Sequence, residues 1–143
     1  MIMSTELTTF NVDDTPLGTV QHFIDTSTAA GKAKLYNALQ NNEKISDHLG
    51  EVINAANVIA QRVQVQNDET GEVNDTVRII IVGDDGTSYA ATSPTLASAF
   101  NTLFGVFGTP DRWERPLPIE ITEEKSRKGF RFFNVKIAEV DNE

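Results

Sequence analysis

Ser93-Pro94 opens a segment in which Leu96, Ala99, Phe100, Leu103, Phe104 and Phe107 recur at three- and four-residue spacing, and Gly108 with Pro110 closes it. Serine is a good helix N-cap, and proline suits the first helical position because no amide hydrogen is needed there. The spacing gathers the apolar residues on one face, and glycine followed by proline is a common helix stop. An amphipathic helix over 94–107 must therefore bury that face. The sequence on both sides of it is β-rich, so the partner it buries against is a sheet.

Glu51–Gln66 is rich in Val and Ile, and Ile59-Ala60-Gln61-Arg62-Val63-Gln64-Val65 alternates with period two. The alternation predicts Ile59, Val63 and Val65 on one face of a strand, with Arg62 and Gln64 on the other. Polar Asn67–Glu72 leads to a second strand, Val73–Val82. Gly83-Asp84-Asp85-Gly86 tolerates positive φ and closes a hairpin. The third strand, Thr87–Thr92, carries Tyr89. After the helix, Asp111–Pro118 is a connector with Trp113, and alternation resumes at Leu117, Ile119 and Ile121 in a fourth strand. Ser126-Arg127-Lys128-Gly129 turns the chain into a fifth, Phe130–Val140.

Upstream, Leu35, Tyr36 and Leu39 fall at helical spacing within Ala29–Gln40, with Asn41-Asn42 as a stop. Residues 1–28 show no single period, and Pro16-Leu17-Gly18 interrupts them. The expected organisation is an N-terminal arm, 1–28, and one domain, 29–143, in keeping with a length of 143 residues. From Glu51 the order is strand, strand, strand, helix, strand, strand. That order resembles the OB-fold, a small barrel that often binds oligonucleotides or oligosaccharides. The expected fold is thus mainly β: a five-stranded OB-fold-like barrel with one helix between strands three and four, plus the arm and a short helix. Phe100, Leu103, Phe104 and Phe107 would plug the barrel. A ubiquitin-like or other α+β roll yields a similar string of elements.

The chain has no cysteine, which removes disulfides, thiolate zinc sites and cysteine catalysis and fits an intracellular, cytoplasmic setting. Met1–Glu6 has neither the basic nor the apolar region of a signal peptide. No apolar run approaches the roughly 20 residues that cross a bilayer, so no membrane partner is expected. His22 and His48 lack an H-E-x-x-H context, and no phosphate loop or nucleophile elbow is present. Adjacent carboxylates such as Asp84-Asp85 point apart on turns and strands. Neither an enzyme, a metal nor a cofactor is expected.

The net charge of −9 disfavours a polyanionic partner until its distribution is considered. Residues 1–111 hold five basic groups against fourteen acidic ones, which leaves −9. Residues 112–136 hold seven against four, which leaves +3, and the last seven residues return −3. With screening over about 8 Å at physiological salt, a ligand responds to the local balance. Within the basic stretch, Lys125-Ser126-Arg127-Lys128-Gly129-Phe130-Arg131-Phe132-Phe133-Asn134-Val135-Lys136 mixes cations with rings. On a strand, Phe133, Val135 and Ile137 share one face, and Phe130, Phe132, Asn134 and Lys136 the other. Cations that track phosphates beside rings on which bases stack are what single-stranded nucleic acid requires. Packing beneath the arm or at a dimer contact is the alternative for Phe130 and Phe132. Arg62, Arg78 and Tyr89, on other strands, could extend the surface.

Ala33-Lys34-Leu35-Tyr36-Asn37-Ala38-Leu39, Gly50-Glu51, Thr70-Gly71-Glu72 and Asp85–Ala91 resemble segments of small bacteriophage single-stranded DNA-binding proteins. So do Phe104–Gly108 and Ile119-Glu120-Ile121 with Lys125 and Gly129–Phe133, and the likeness covers about residues 30–140. The resemblance implies an OB-fold protein that coats and protects single-stranded DNA during phage replication, in the host cytoplasm, without catalysis. Lys125, Arg127, Lys128, Arg131, Lys136, Arg62 and Arg78 would meet phosphates, and Phe130, Phe132 and Tyr89 would meet bases. Replication proteins and further copies of the chain are the other partners it suggests. Cellular relatives recruit partners through an acidic C-terminal tail with an aromatic tip, which Glu139–Glu143 lacks. Two other readings stay open: an adaptor that meets a basic partner through acidic residues 68–85, and an acidic DNA-mimicking inhibitor from a mobile element.

Overall fold

The computed structural model describes Phe10 and residues 16–138. Half of the expected arm, the end of the expected fifth strand and the acidic tail lie outside the described residues. In chain order the elements are β1 (Val20–Gln21), α1 (Ala29–Gln40), β2 (Glu43–Lys44), β3 (Val52–Gln66), β4 (Val73–Gly83), β5 (Ser88–Thr92), α2 (Pro94–Phe107), β6 (Leu117–Lys125) and β7 (Arg131–Ile137). Short 3₁₀ turns cover Ile45–Asp47 and Pro110–Arg112. The described residues are mainly β, with two α-helices among them. Its strands form one curled sheet in the order β2-β5-β4-β3-β6-β7, with β1 added to β3.

The curl originates in β3. Its first residues, Val52–Ala55, pair with β6, and Ala55–Gln66 pair with β4. The register skips a residue between Ala55 and Asn57. Such a bulge bends a strand and increases its twist, so one strand serves two arms of the sheet. All pairings are antiparallel except β2 with β5. The expected five strands correspond to β3 to β7. The further two contain two residues each, too few to show an alternation.

The concave face packs on α2. Ile53, Ala55, Val58, Ala60, Val77, Ile79, Ile81, Ile119 and Ile121 meet Leu96, Ala97, Phe100, Leu103 and Phe104 there. Ser93 Oγ caps α2 by accepting from the Leu96 amide at 3.1 Å. Phe10 and Phe23 set their rings 5.4 and 5.3 Å from Phe104, and Trp113 Nε1 donates to the Gly108 carbonyl at 2.9 Å. Phe107 departs from the expected plug: it is 46% exposed, at the open end of the helix.

The convex face is also covered. Ile24, Ala38, Ile59, Ile80 and Val82, with Leu35 and Leu39, form a second apolar cluster beneath α1. Both faces of β3 are buried here, with Val58 and Ala60 in the first cluster and Ile59 in the second. A strand with helices on both sides loses its alternation.

The N-terminus of α1 lies directly on the chain before it. Thr28 Oγ1 accepts from the Gly31 amide at 3.0 Å, and a Cβ on Gly31 would stand 1.7 Å from the Asp25 carbonyl oxygen. Backbone cannot yield as a side chain does, so Gly31→Ala is expected to lift α1 and cost about 1–3 kcal/mol. Gly105, inside α2, faces open space. There Gly→Ala should stabilise by up to about 1 kcal/mol through helix propensity alone. Opposite shifts of the urea midpoint check the pair, and equal shifts would contradict the close contact at Gly31.

Candidate nucleic-acid interface

β6 and β7 form a hairpin that runs from the core outward, in register from Ile119 opposite Ile137 to Lys125 opposite Arg131. At its turn the Ser126 amide donates to the Phe130 carbonyl at 2.8 Å, and the Gly129 amide donates to Ser126 O at 2.9 Å. Ser126 Oγ accepts from the Phe130 amide at 3.1 Å. Gly129 has φ +88°, a conformation open chiefly to glycine. Ile121 is buried, whereas Glu123, Glu124, Lys125 and residues 127–131 are exposed, so the tip stands clear of the sheet.

The faces of β7 divide as the alternation predicts. Phe133, Val135 and Ile137 pack against the concave core, which leaves Phe132 and Lys136 on the other side. Phe130 is 70% exposed, an unusual position for so large an apolar ring. Arg131 lies 3.4 Å from Glu123 and Lys136 lies 3.8 Å from Glu120, pairs whose cations are solvent-exposed and whose energetic weight is small. Lys125, Arg127 and Lys128 have no ion-pair partner among the described residues. The hairpin thus brings together seven of the ten expected residues: Lys125, Arg127, Lys128, Phe130, Arg131, Phe132 and Lys136.

The other three are dispersed. Arg78 lies half-buried on the convex face of β4, where its Nη1 donates to Gln61 Oε1 at 3.2 Å and to the Leu39 carbonyl at 3.4 Å. Burial lowers its pKa, but guanidinium remains charged at any working pH. Arg62 is half-buried opposite Val77. Tyr89 packs against the concave core with its ring 5.0 Å from His48. Burial, then Asp85, Glu43 and Glu51, raise the Tyr89 pKa. That neighbourhood is electronegative and repels phosphate.

Arg78 opens onto a recess of about 340 Å³ between the β5 edge and β7, shared with Asn42, Lys44, Ser46, Thr92 and Phe133. Lys44, Asn42 and Ser46 were not foreseen. They arrive through the parallel pairing of β2 with β5, Glu43 opposite Tyr89. Two residues of strand carry no periodic signal, and a lone Lys44 in an acidic half is a weak one.

The two histidines titrate in opposite senses. His48 Nδ1 lies 3.1 Å from Glu51 and Nε2 lies 2.6 Å from Glu43, and those hydrogen bonds raise its pKa from 6.5. Its stabilisation is therefore complete below pH 6.5 and is lost as pH rises through the raised value. Burial lowers the pKa of His22 from 6.5, so its contribution is lost as pH falls below 6.5. An NMR titration is expected to place the His48 midpoint above 6.5 and that of His22 below it. Reversed midpoints would contradict the assignment.

Among the described residues no group of three or more His, Asp or Glu side chains could hold a metal ion. No helix there is long and apolar enough to cross a membrane. No solved structure matches the chain significantly. Two sequence likenesses are informative. Residues 17–138 match the family described as phage single-stranded DNA-binding protein. The chain is also 30% identical over 120 residues to the single-stranded DNA-binding protein of Bacillus phage phi29, across 83% of this chain and 94% of that protein. Because the matched span runs from before β1 through the sheet, both helices and the exposed hairpin, the chain belongs to the phage single-stranded DNA-binding protein family.

Proposed function

We propose that the protein binds single-stranded DNA without catalysis, coating and protecting it during phage DNA replication in the host cytoplasm. The observation that carries this reading is Phe130, exposed among Lys125, Arg127, Lys128 and Arg131 at the tip of the β6–β7 hairpin. A ring held in water beside a cluster of cations is suited to stacking on a base while its phosphates are neutralised. Phe132 and Lys136 extend the contact inward along β7, and Arg78 with Lys44 continue it beyond the β5 edge. Arg62 contributes at the margin, whereas Tyr89, packed beside His48 amid carboxylates, does not.

The curled sheet, with its helix after the third long strand, supports an OB-type barrel in which β1, β2 and α1 are additions. In this reading residues 29–143 form the binding domain and 1–28 an N-terminal arm. Replication proteins and neighbouring copies on the same strand are the expected protein partners. Fluorescence titration of a labelled oligo-dT at two salt concentrations tests the proposal. Affinity should fall with salt at a slope of about −0.7 per phosphate contacted. Absence of binding, or affinity indifferent to salt, would overturn it.

A further inference from the structure

The recess of about 340 Å³ beside Arg78 is lined by two cations, Arg78 and Lys44, and by a single carboxylate, Glu43. Arg78 is not free to swing there. Its Nη1 donates to Gln61 Oε1 and to the Leu39 carbonyl, which together hold the guanidinium in place. Among the described residues its Nε and Nη2 meet no acceptor, so the rest of the fork is left to a ligand. A guanidinium fork held in place suits a phosphate, because its parallel N–H groups meet two oxygens at once. Lys44 has no ion-pair partner among the described residues and brings a second charge from β2. Asn42, Ser46 and Thr92 add neutral donors, and Ala90 and Ala91 complete the lining without filling the space.

Glu43 opposes an anion in this recess, and His48 sets how strongly. Glu43 Oε1 lies 2.6 Å from His48 Nε2, and Glu51 Oε1 lies 3.1 Å from His48 Nδ1. Neutral imidazole has one N–H and one lone pair. Only the imidazolium can donate to both carboxylates, so the arrangement is that of the protonated ring. The groups that face His48 are Glu43 of β2, Glu51 ahead of β3 and Tyr89 of β5, with Asp85 near Tyr89. None of these is a cation, so none can replace the imidazolium beside Glu43.

We propose that the recess seats one phosphate of the bound strand between Arg78 and Lys44, and that protonation of His48 tightens the seat by neutralising Glu43. The inference rests on the single-stranded DNA reading for the strand that carries the phosphate.

The probe is sulfate, a tetrahedral dianion whose charge is constant over the working pH range. It is titrated against chloride at fixed ionic strength, with the amide NMR signals of Lys44, Ser46 and Thr92 and the Arg78 Nε–H signal as readout. Half-saturation is expected at about 1–10 mM, a weak affinity suited to one small contact. Affinity should be about two- to fivefold higher below the His48 midpoint than above it, the weight of one unit charge several ångströms away near the surface. By reciprocity, saturating sulfate should raise the His48 midpoint by the same factor, about 0.3–0.7 pH units. Glu43→Gln should bind sulfate above the midpoint as tightly as the parent protein does below it. Arg78→Gln and Lys44→Gln should each abolish the shifts, and Lys44 is exposed, so its variant serves even if Arg78→Gln fails to fold. Oligo-dT binding should follow the same pH dependence, and Glu43→Gln should remove it.

Unshifted signals with oligo-dT still bound would overturn the inference while the proposed function stands. Sulfate shifts beside oligo-dT binding that ignores His48 would mean an adventitious anion only, and would also overturn it. Failure to bind oligo-dT, with the sulfate response intact, would overturn the proposed function and with it the strand's place in the recess.

Discussion

Phe130→Leu is expected to weaken oligo-dT binding by about 1–3 kcal/mol, the value of one base stacked on one ring. Stability should stay within about 0.5 kcal/mol, because a ring 70% exposed has little packing to lose. Simultaneous alanine at Lys125, Arg127 and Lys128 should leave a different signature. Three phosphate contacts at about 0.7 each would lower the slope of log affinity against log salt by about 2, whereas Phe130→Leu should leave that slope unchanged. Titrations of both variants at several salt concentrations, with urea unfolding as the control, separate stacking from charge. If neither affinity nor slope responds, the hairpin does not touch DNA. If Phe130→Leu unfolds, the ring is part of a core.

What could be read from the sequence was local. Ser93 caps α2 at the expected position, because caps and apolar spacing act within a few residues. The alternation of Phe133, Val135 and Ile137 likewise settled which side of β7 meets the core. The missed features were the tertiary ones. The convex cluster of Ile59, Ile80 and Val82 exists because α1 packs there, and nothing in the period of β3 encodes where α1 goes. The recess of Lys44, Arg78 and Phe133 joins three strands through a two-residue parallel pairing. Tyr89 was grouped with the basic residues by type alone, whereas position sets it against His48 amid carboxylates. Phe130 and Phe132 could be assigned only by knowing whether another element covers their face.

The largest stability effect is expected at Phe100. Its side chain is fully buried in the concave core, with its ring 6.1 Å from that of Phe104. Phe100→Ala deletes a ring whose surroundings are held by a curled sheet on one side and a capped helix on the other, so the site cannot collapse to fill the space. A loss of about 3–5 kcal/mol follows, out of a total that is commonly 5–15. Phe107 lies seven residues along the same helix and is the internal control: 46% exposed, it should cost about 1 kcal/mol or less on the same substitution. The single tryptophan, Trp113, sits 6.4 Å from Phe104 and reports α2 packing by fluorescence. Urea titrations read through it should show a midpoint far lower for Phe100→Ala than for Phe107→Ala, with unchanged m. Equal midpoints would mean that α2 does not dock through Phe100. The hairpin tip lies outside that core, so Phe100→Ala that remains folded at low temperature should still bind oligo-dT, with affinity set by Phe130 and its flanking cations.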